Sequence, residues 1–152
     1  MITINLVCVG NLKEKFWKEA CAEYSKRLSR FCKLNIIELE EQNNLSTPQK
    51  TLEKEGENII AHLSGKSILM AIEGKQVSSE ELAKKMIDWQ NQSSTVTIII
   101  GSSHGVSEKV KASASEKISF GRVTYPHNLM RVILLEQIYR AFMINSGSSY
   151  HK

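Results

Sequence analysis

Long hydrophobic runs are missing from this chain, and so are most of the short patterns that announce an activity. The strongest apolar run in the body, Val96 to Ile100, falls far short of the roughly twenty residues a membrane-spanning helix needs. No membrane segment is expected. The opening residues, Met1-Ile2-Thr3-Ile4, carry no basic region and no small-residue cleavage pattern, so no secretory signal is expected and the expected location is cytoplasmic. Cysteine is scarce. Cys8, Cys21 and Cys32 form no CxxC pair, an odd set that fits reduced packing thiols and excludes a disulfide framework. No His, Cys, Asp or Glu grouping has zinc-like spacing, so the expected chemistry uses no metal. Gly101 and Gly105 lack a third glycine, and no GK[ST] follows them, which excludes both the dinucleotide fingerprint and the P-loop. No GxSxG elbow marks a serine nucleophile. Neither an internal repeat nor a linker interrupts the 152 residues, so 1–152 reads as one domain.

The charge that is present leans positive. Twenty Lys and Arg against sixteen Asp and Glu give +4, which permits an anionic partner without demanding one. Residues 13 to 33 hold Lys13, Lys15, Lys18, Lys26, Arg27, Arg30 and Lys33 against Glu14, Glu19 and Glu23. Two readings of that segment stand side by side. It is a solvated helix face with charge pairs, or it is a surface that meets phosphates.

Hydrophobic periodicity predicts alternating strands and helices. Residues 2–8, 33–40, 67–72, 95–100 and 117–120 read as strands, because they are short, apolar and rich in β-branched side chains. The segment 95–100 is the most central by composition. The third strand is expected to stop at Glu73-Gly74-Lys75. Helices are expected over 13–31, from Pro48 to about His62, from Ser79 to about Asn91, over 108–114 and over 128–145. Thr47, Ser78 and Ser107 are the expected N-caps of the second, third and fourth helices. Near-continuous apolar strands joined by helices argue for an α/β fold, a mostly parallel sheet with helices on both faces.

Open parallel sheets bind ligands outside the carboxyl ends of their strands. Three segments arrive there: Met70–Gly74, Gly101–Gly105 and Gly121–Pro126. The glycine-containing loops let backbone amides approach a ligand, or they are ordinary strand-to-helix turns. His104 lies in the first loop and His127 follows the second. His62 is expected on a surface. The last helix is apolar nearly all round in its first half, from Leu129 to Leu135, so a second copy of the chain is expected to cover part of it. Arg131 and Glu136 break that pattern. Each is expected to be paired or to face a ligand, with Arg140 at the favourable i, i+4 distance from Glu136.

The run TYPHNLMRVILLEQIYRAFMI at 124–144, the closing Tyr150-His151-Lys152, the opening strand followed by LKEKFWKEACAEYSKRL, and Ile72-Glu73-Gly74-Lys75 together resemble the RlmH family of the SPOUT superfamily. The resemblance covers the whole chain. It implies a C-terminal trefoil knot and a homodimer joined through the last helix. It also implies S-adenosyl-L-methionine-dependent methylation of N3 of a pseudouridine in large-subunit ribosomal RNA, on the assembled ribosome. Carried over by position, the cofactor-binding residues would be Met70, Gly101, Ser102, Gly121, Arg122, Val123, Thr124, Tyr125 and Pro126. The catalytic group would be Arg131, Tyr150, His151 and His127, with Lys152 assisting in anion positioning. The family loop usually carries glycine where Ser102 stands. If that position needs positive φ, the serine is strained, and a ribosome-binding dimer with weak or lost methyl transfer becomes the competing expectation. A flavodoxin-like nucleotide-binding domain is a third, suggested by the strand and helix alternation alone.

Overall fold

The computed structural model describes residues 1–43 and 45–151, with the backbone alone at His151. Five strands form one all-parallel sheet, in the order β2-β1-β4-β3-β5. In chain order these are β1 (Ile2–Val9), β2 (Cys32–Leu39), β3 (Lys66–Gln76), β4 (Thr95–Ile100) and β5 (Glu116–Ser119). The helices are α1 (Lys15–Leu28), α2 (Pro48–Ala61), α3 (Ser79–Gln92), α4 (Glu108–Ser113) and α5 (His127–Asn145), followed by a 3-10 turn at Ser149–His151. β4 takes the centre, as its composition predicts.

Successive side chains of a strand point to opposite faces, and both faces are covered. Ile4, Leu6 and Cys8 of β1 join Ile98 and Ile100 of β4 in a core under α1, α3 and α5. Val7 and Val9, with Leu69 and Ile99, enter a smaller core closed by Ile59 of α2 and Val110 of α4. Thr47, Ser78 and Ser107 each accept a hydrogen bond from the amide three residues on, so all three caps are made as expected. The three cysteines are free and buried. Burial pushes the Cys8 thiol up to about 12 and the Cys32 thiol up to about 11, so both stay protonated at neutral pH.

One strand departs from the expected boundaries. β3 does not stop at Glu73-Gly74-Lys75. Met70 and Lys75 both register with Ile118 of β5, so Ala71 to Gly74 bulge out and the strand then resumes. Gly74 is required by close approach, since a Cβ there would stand 2.7 Å from the backbone nitrogen of Ile118. The bulge places Ile72 and Glu73 at the carboxyl end of the sheet, where the site lies.

Glu116 at the start of β5 draws the sheet edge and α3 together. It accepts from Lys85 at 3.0 Å and from the Trp89 indole at 3.2 Å, with Lys66 3.3 Å away. Burial alone would raise its pKa. The bonds from Lys85 and Trp89 outweigh that, and the carboxyl is held below its ordinary value.

Candidate active site

The carboxyl ends of β3, β4 and β5 converge on a cavity of about 260 Å³. Its walls are the β3 bulge, the loop after β4, the turn after β5 and the first turn of α5. Met70, Gly101, Ser102, Gly121, Val123, Thr124 and Tyr125 all line it, and so does His127. Seven of the nine expected cofactor residues therefore meet in one place. Arg122 and Pro126 are exposed and are not among the lining residues, although the turn they belong to is. Among the described residues, no group of three or more His, Cys, Asp or Glu side chains gathers as a metal site would require.

Sequence reasoning missed part of the wall. Ile118, Ser119 and Phe120 line the cavity from the end of β5, and Met130 does so from the next turn of α5. The spacing of His127 and Met130, three apart on a helix, was available as a signal for one of them. Glu73 and Lys111 stand 3.4 Å apart at the rim. A hydrogen bond from its own backbone amide, seconded by Lys111, holds the Glu73 carboxyl below its ordinary value.

The lining combines apolar side chains with the backbone of two glycine turns. Ile100, Ile118, Phe120 and Met130 supply apolar surface, and the two glycine turns bring backbone close. Gly121 has φ +114°, and a Cβ built on it would meet nothing within 4 Å. A side chain there would project into open space beside the cavity wall. Gly101 is required for the opposite reason, since its Cβ would stand 2.6 Å from the Gly105 carbonyl oxygen.

Ser102 is not strained. Among the described residues, no residue other than glycine has positive φ, so the condition for a penalty at this position is not met. Its hydroxyl donates to the Gly105 carbonyl at 3.4 Å and accepts from the His104 amide at 3.3 Å. The Ser102 carbonyl accepts from the Gly105 amide at 2.9 Å. The serine thus fastens its own tight turn, and the motive for a transfer-defective protein disappears. Ser102→Gly is expected to weaken cofactor binding by about two- to ten-fold, because a loop that loses a backbone tether of about 1 kcal/mol must be ordered by the ligand. Calorimetric titration checks this, and tighter binding by the glycine variant would contradict it. His104 is exposed and does not line the cavity, while His62 sits on the surface as expected.

The remaining expected catalytic residues are placed differently. Arg131 does not reach the cavity. It is 2% exposed and its guanidinium donates to Glu38 at 2.6 Å and to the Gly10 carbonyl at 3.2 Å. Glu38 also accepts from the Leu12 amide at 3.2 Å. The cation that opens α5 against the helix dipole is thereby neutralised from β2, and it ties the β1–α1 loop to the helix. Within the chain it acts as a tether, and it is not among the residues that line this cavity.

Tyr150 does not line the cavity of its own chain. It lies on α5, its hydroxyl 3.3 Å from Glu136 and its ring edge-on to Tyr139 with centroids 5.0 Å apart. Burial first, then the charge of Glu136, raises its phenol above the ordinary value. At neutral pH it is a proton donor, so it can hold a base in place but is a poor acceptor of that base's proton. The side chain of His151 and all of Lys152 lie outside the described residues.

A family model described as "Predicted SPOUT methyltransferase" matches residues 2–151. Relatives named "Ribosomal RNA large subunit methyltransferase H" align end to end. The Lactobacillus acidophilus protein is 48% identical and the Latilactobacillus sakei protein 49%, each over 99% of this chain and 100% of the relative. The Streptococcus gordonii protein is 51% identical over 98% of this chain and 99% of the relative.

Proposed function

The chain belongs to the SPOUT methyltransferase family, and from that premise we propose that it methylates N3 of a pseudouridine in large-subunit ribosomal RNA on the assembled ribosome. It is an S-adenosylmethionine-dependent ribosomal RNA methyltransferase. One observation carries the reading. A chain that is nearly half identical, end to end, to enzymes of one name has its glycine turns closed around a cavity at the carboxyl ends of β3, β4 and β5. The family's trefoil knot comes to this chain as part of the same proposal.

The bound cofactor supplies an electrophilic methyl group. What remains for the protein is alignment and the removal of a proton from N3, a weak acid. The two glycine turns would hold the donor, with Met70 and Met130 lining the same cavity. His127 stands at the cavity wall, half buried, where it can contact the base. A Cβ on Gly10 would be only 3.9 Å from its Nε2, so the β1–α1 loop that Arg131 fixes also backs the imidazole. Tyr150 and His151 are assigned to placing the base, His151 being the better proton acceptor of the two.

The site is composite in this proposal. Two copies pair through α5, whose Leu129, Val132, Ile133 and Met143 remain half-exposed in a single chain. The tail of one copy then overhangs the cavity of the other. Ile133→Glu is expected to give a folded monomer by light scattering, because Ile133 faces outward beside Gln137 and Arg140. Leu134 is fully buried, so a charge there would unfold the chain rather than separate two chains. A dimer that survives Ile133→Glu unchanged would place the interface elsewhere. The activity itself is tested by mass spectrometry of ribosomal RNA from cells with and without the chain. A pseudouridine methylated equally in both would refute the assignment.

A further inference from the structure

A network of side chains outside the cavity ends on the tail. Ser79 at the start of α3 donates to Gln137 at 2.6 Å, and Gln137 donates to Glu136 at 3.3 Å. Arg140 grips the same carboxylate with two nitrogens, Nη2 at 2.8 Å and Nε at 3.1 Å from Oε1. Tyr150 donates its hydroxyl to that oxygen at 3.3 Å. Its ring lies edge-on to Tyr139, and the Arg140 guanidinium carbon is 4.9 Å from the ring centroid. Glu136, Tyr139 and Arg140 are three and four apart, so they share one helix face, and the tyrosine meets all of them at once.

Resting on the methyl-transfer reading above, we propose that Glu136 is a positioning residue for the reaction. Its carboxylate, fixed by Arg140, holds the phenol of Tyr150 and so sets the direction in which the chain end leaves α5. The side chains of Glu136 and Arg140 are 17% and 27% exposed, which strengthens their pair beyond that of a free surface ion pair. Tyr150 belongs to neither buried core, and its holds are Glu136, Arg140 and the edge of the Tyr139 ring. Chain ends fray unless they are tied down, and a group that must reach a reacting base gains from being held before the substrate arrives. Ser148 adds to the hold, its hydroxyl accepting from the Tyr150 amide at 3.2 Å.

The test uses the full chain, S-adenosylmethionine and large ribosomal subunits from cells lacking the chain. Tyr150→Phe and Glu136→Ala are each expected to lower kcat by about ten-fold or more, with cofactor affinity and dimer mass unchanged. Because Glu136 acts through the phenol, the double variant should be no slower than the slower single one. Glu136→Gln keeps an acceptor oxygen and should recover part of the loss. Additive losses, or full kcat in Glu136→Ala, would overturn the proposal. A second readout does not depend on turnover. In protein labelled with 3-fluorotyrosine, the Tyr150 resonance, assigned by its absence in Tyr150→Phe, should move to the position of free tyrosine in Glu136→Ala. An unmoved resonance would overturn the clamp. If the unaltered chain transfers no methyl at all, the methyl-transfer reading fails, and the fluorine signal still decides whether Glu136 holds the tail.

Discussion

A chain ending at Ser149 should lose methyl transfer to ribosomes by at least about a hundred-fold, the scale that positioned proton-transfer groups contribute, while keeping its fold and its cofactor affinity. The asymmetry follows from what Tyr150 touches. Its partners are Glu136, Tyr139 and Arg140 of α5, and none of these lines the cavity. Deleting it forfeits one edge-on aromatic contact, one cation–π contact and two hydrogen bonds, on the order of 2–3 kcal/mol together. That lowers the melting temperature by several degrees and leaves the chain folded. Glu136 keeps Arg140, so no charge is stranded. The cavity walls at Met70, Gly101, Gly121 and Met130 are untouched, and a cofactor titration should give an affinity within about two-fold of the full chain. Methyl incorporation measured alongside that titration separates the outcomes. A normal rate would show that the tail takes no part. Loss of cofactor binding together with rate would show that the tail builds the cofactor site rather than the base-binding side.

The local code of this chain was largely legible. Each expected N-cap is made, because a Ser or Thr capping bond is decided within four residues. The five strands were found because each is a short apolar run. The α/β class followed from the alternation of such runs with amphipathic helices. Most of the cavity was also legible, since the loops after parallel strands fall on one edge of the sheet whatever their sequence.

What escaped depends on partners far away in the chain. Gly74 reads as a strand stop, but its reason is the backbone of Ile118 passing alongside. Gly56 sits inside α2, where a Cβ would collide with the Ser107 hydroxyl, so the glycine lets α2 and the start of α4 pack closely. The strain assigned to Ser102 required a backbone angle that no sequence prints, and the angle is ordinary. Tyr150 could be suspected of function, but its clamp on α5 joins residues that only the folded chain brings together.

Arg131 is the sharpest of these cases, and Arg131→Met is the variant that decides it. Its partner Glu38 lies 93 positions earlier in the chain, and no local pattern links them. The methionine variant is expected to lose roughly 2–3 kcal/mol of stability, below the 3–5 kcal/mol of a fully buried broken pair. The smaller figure follows because the Glu38 side chain is 41% exposed and can regain water, whereas the Gly10 carbonyl simply loses its donor. Adding Glu38→Gln to Arg131→Met should restore part of the loss, since the amide leaves no unpaired charge beside the helix. Thermal or denaturant unfolding measures both. Transfer assayed well below the melting temperature should be only several-fold reduced in the methionine variant, because the loop behind His127 loosens while the cavity stays intact. Arg131→Lys then separates a tether from a substrate contact. If lysine restores stability and transfer together, the tether explains the residue. If it restores stability while transfer stays down a hundred-fold or more, the guanidinium itself meets the substrate, and the β1–α1 loop must open in the complex to let it.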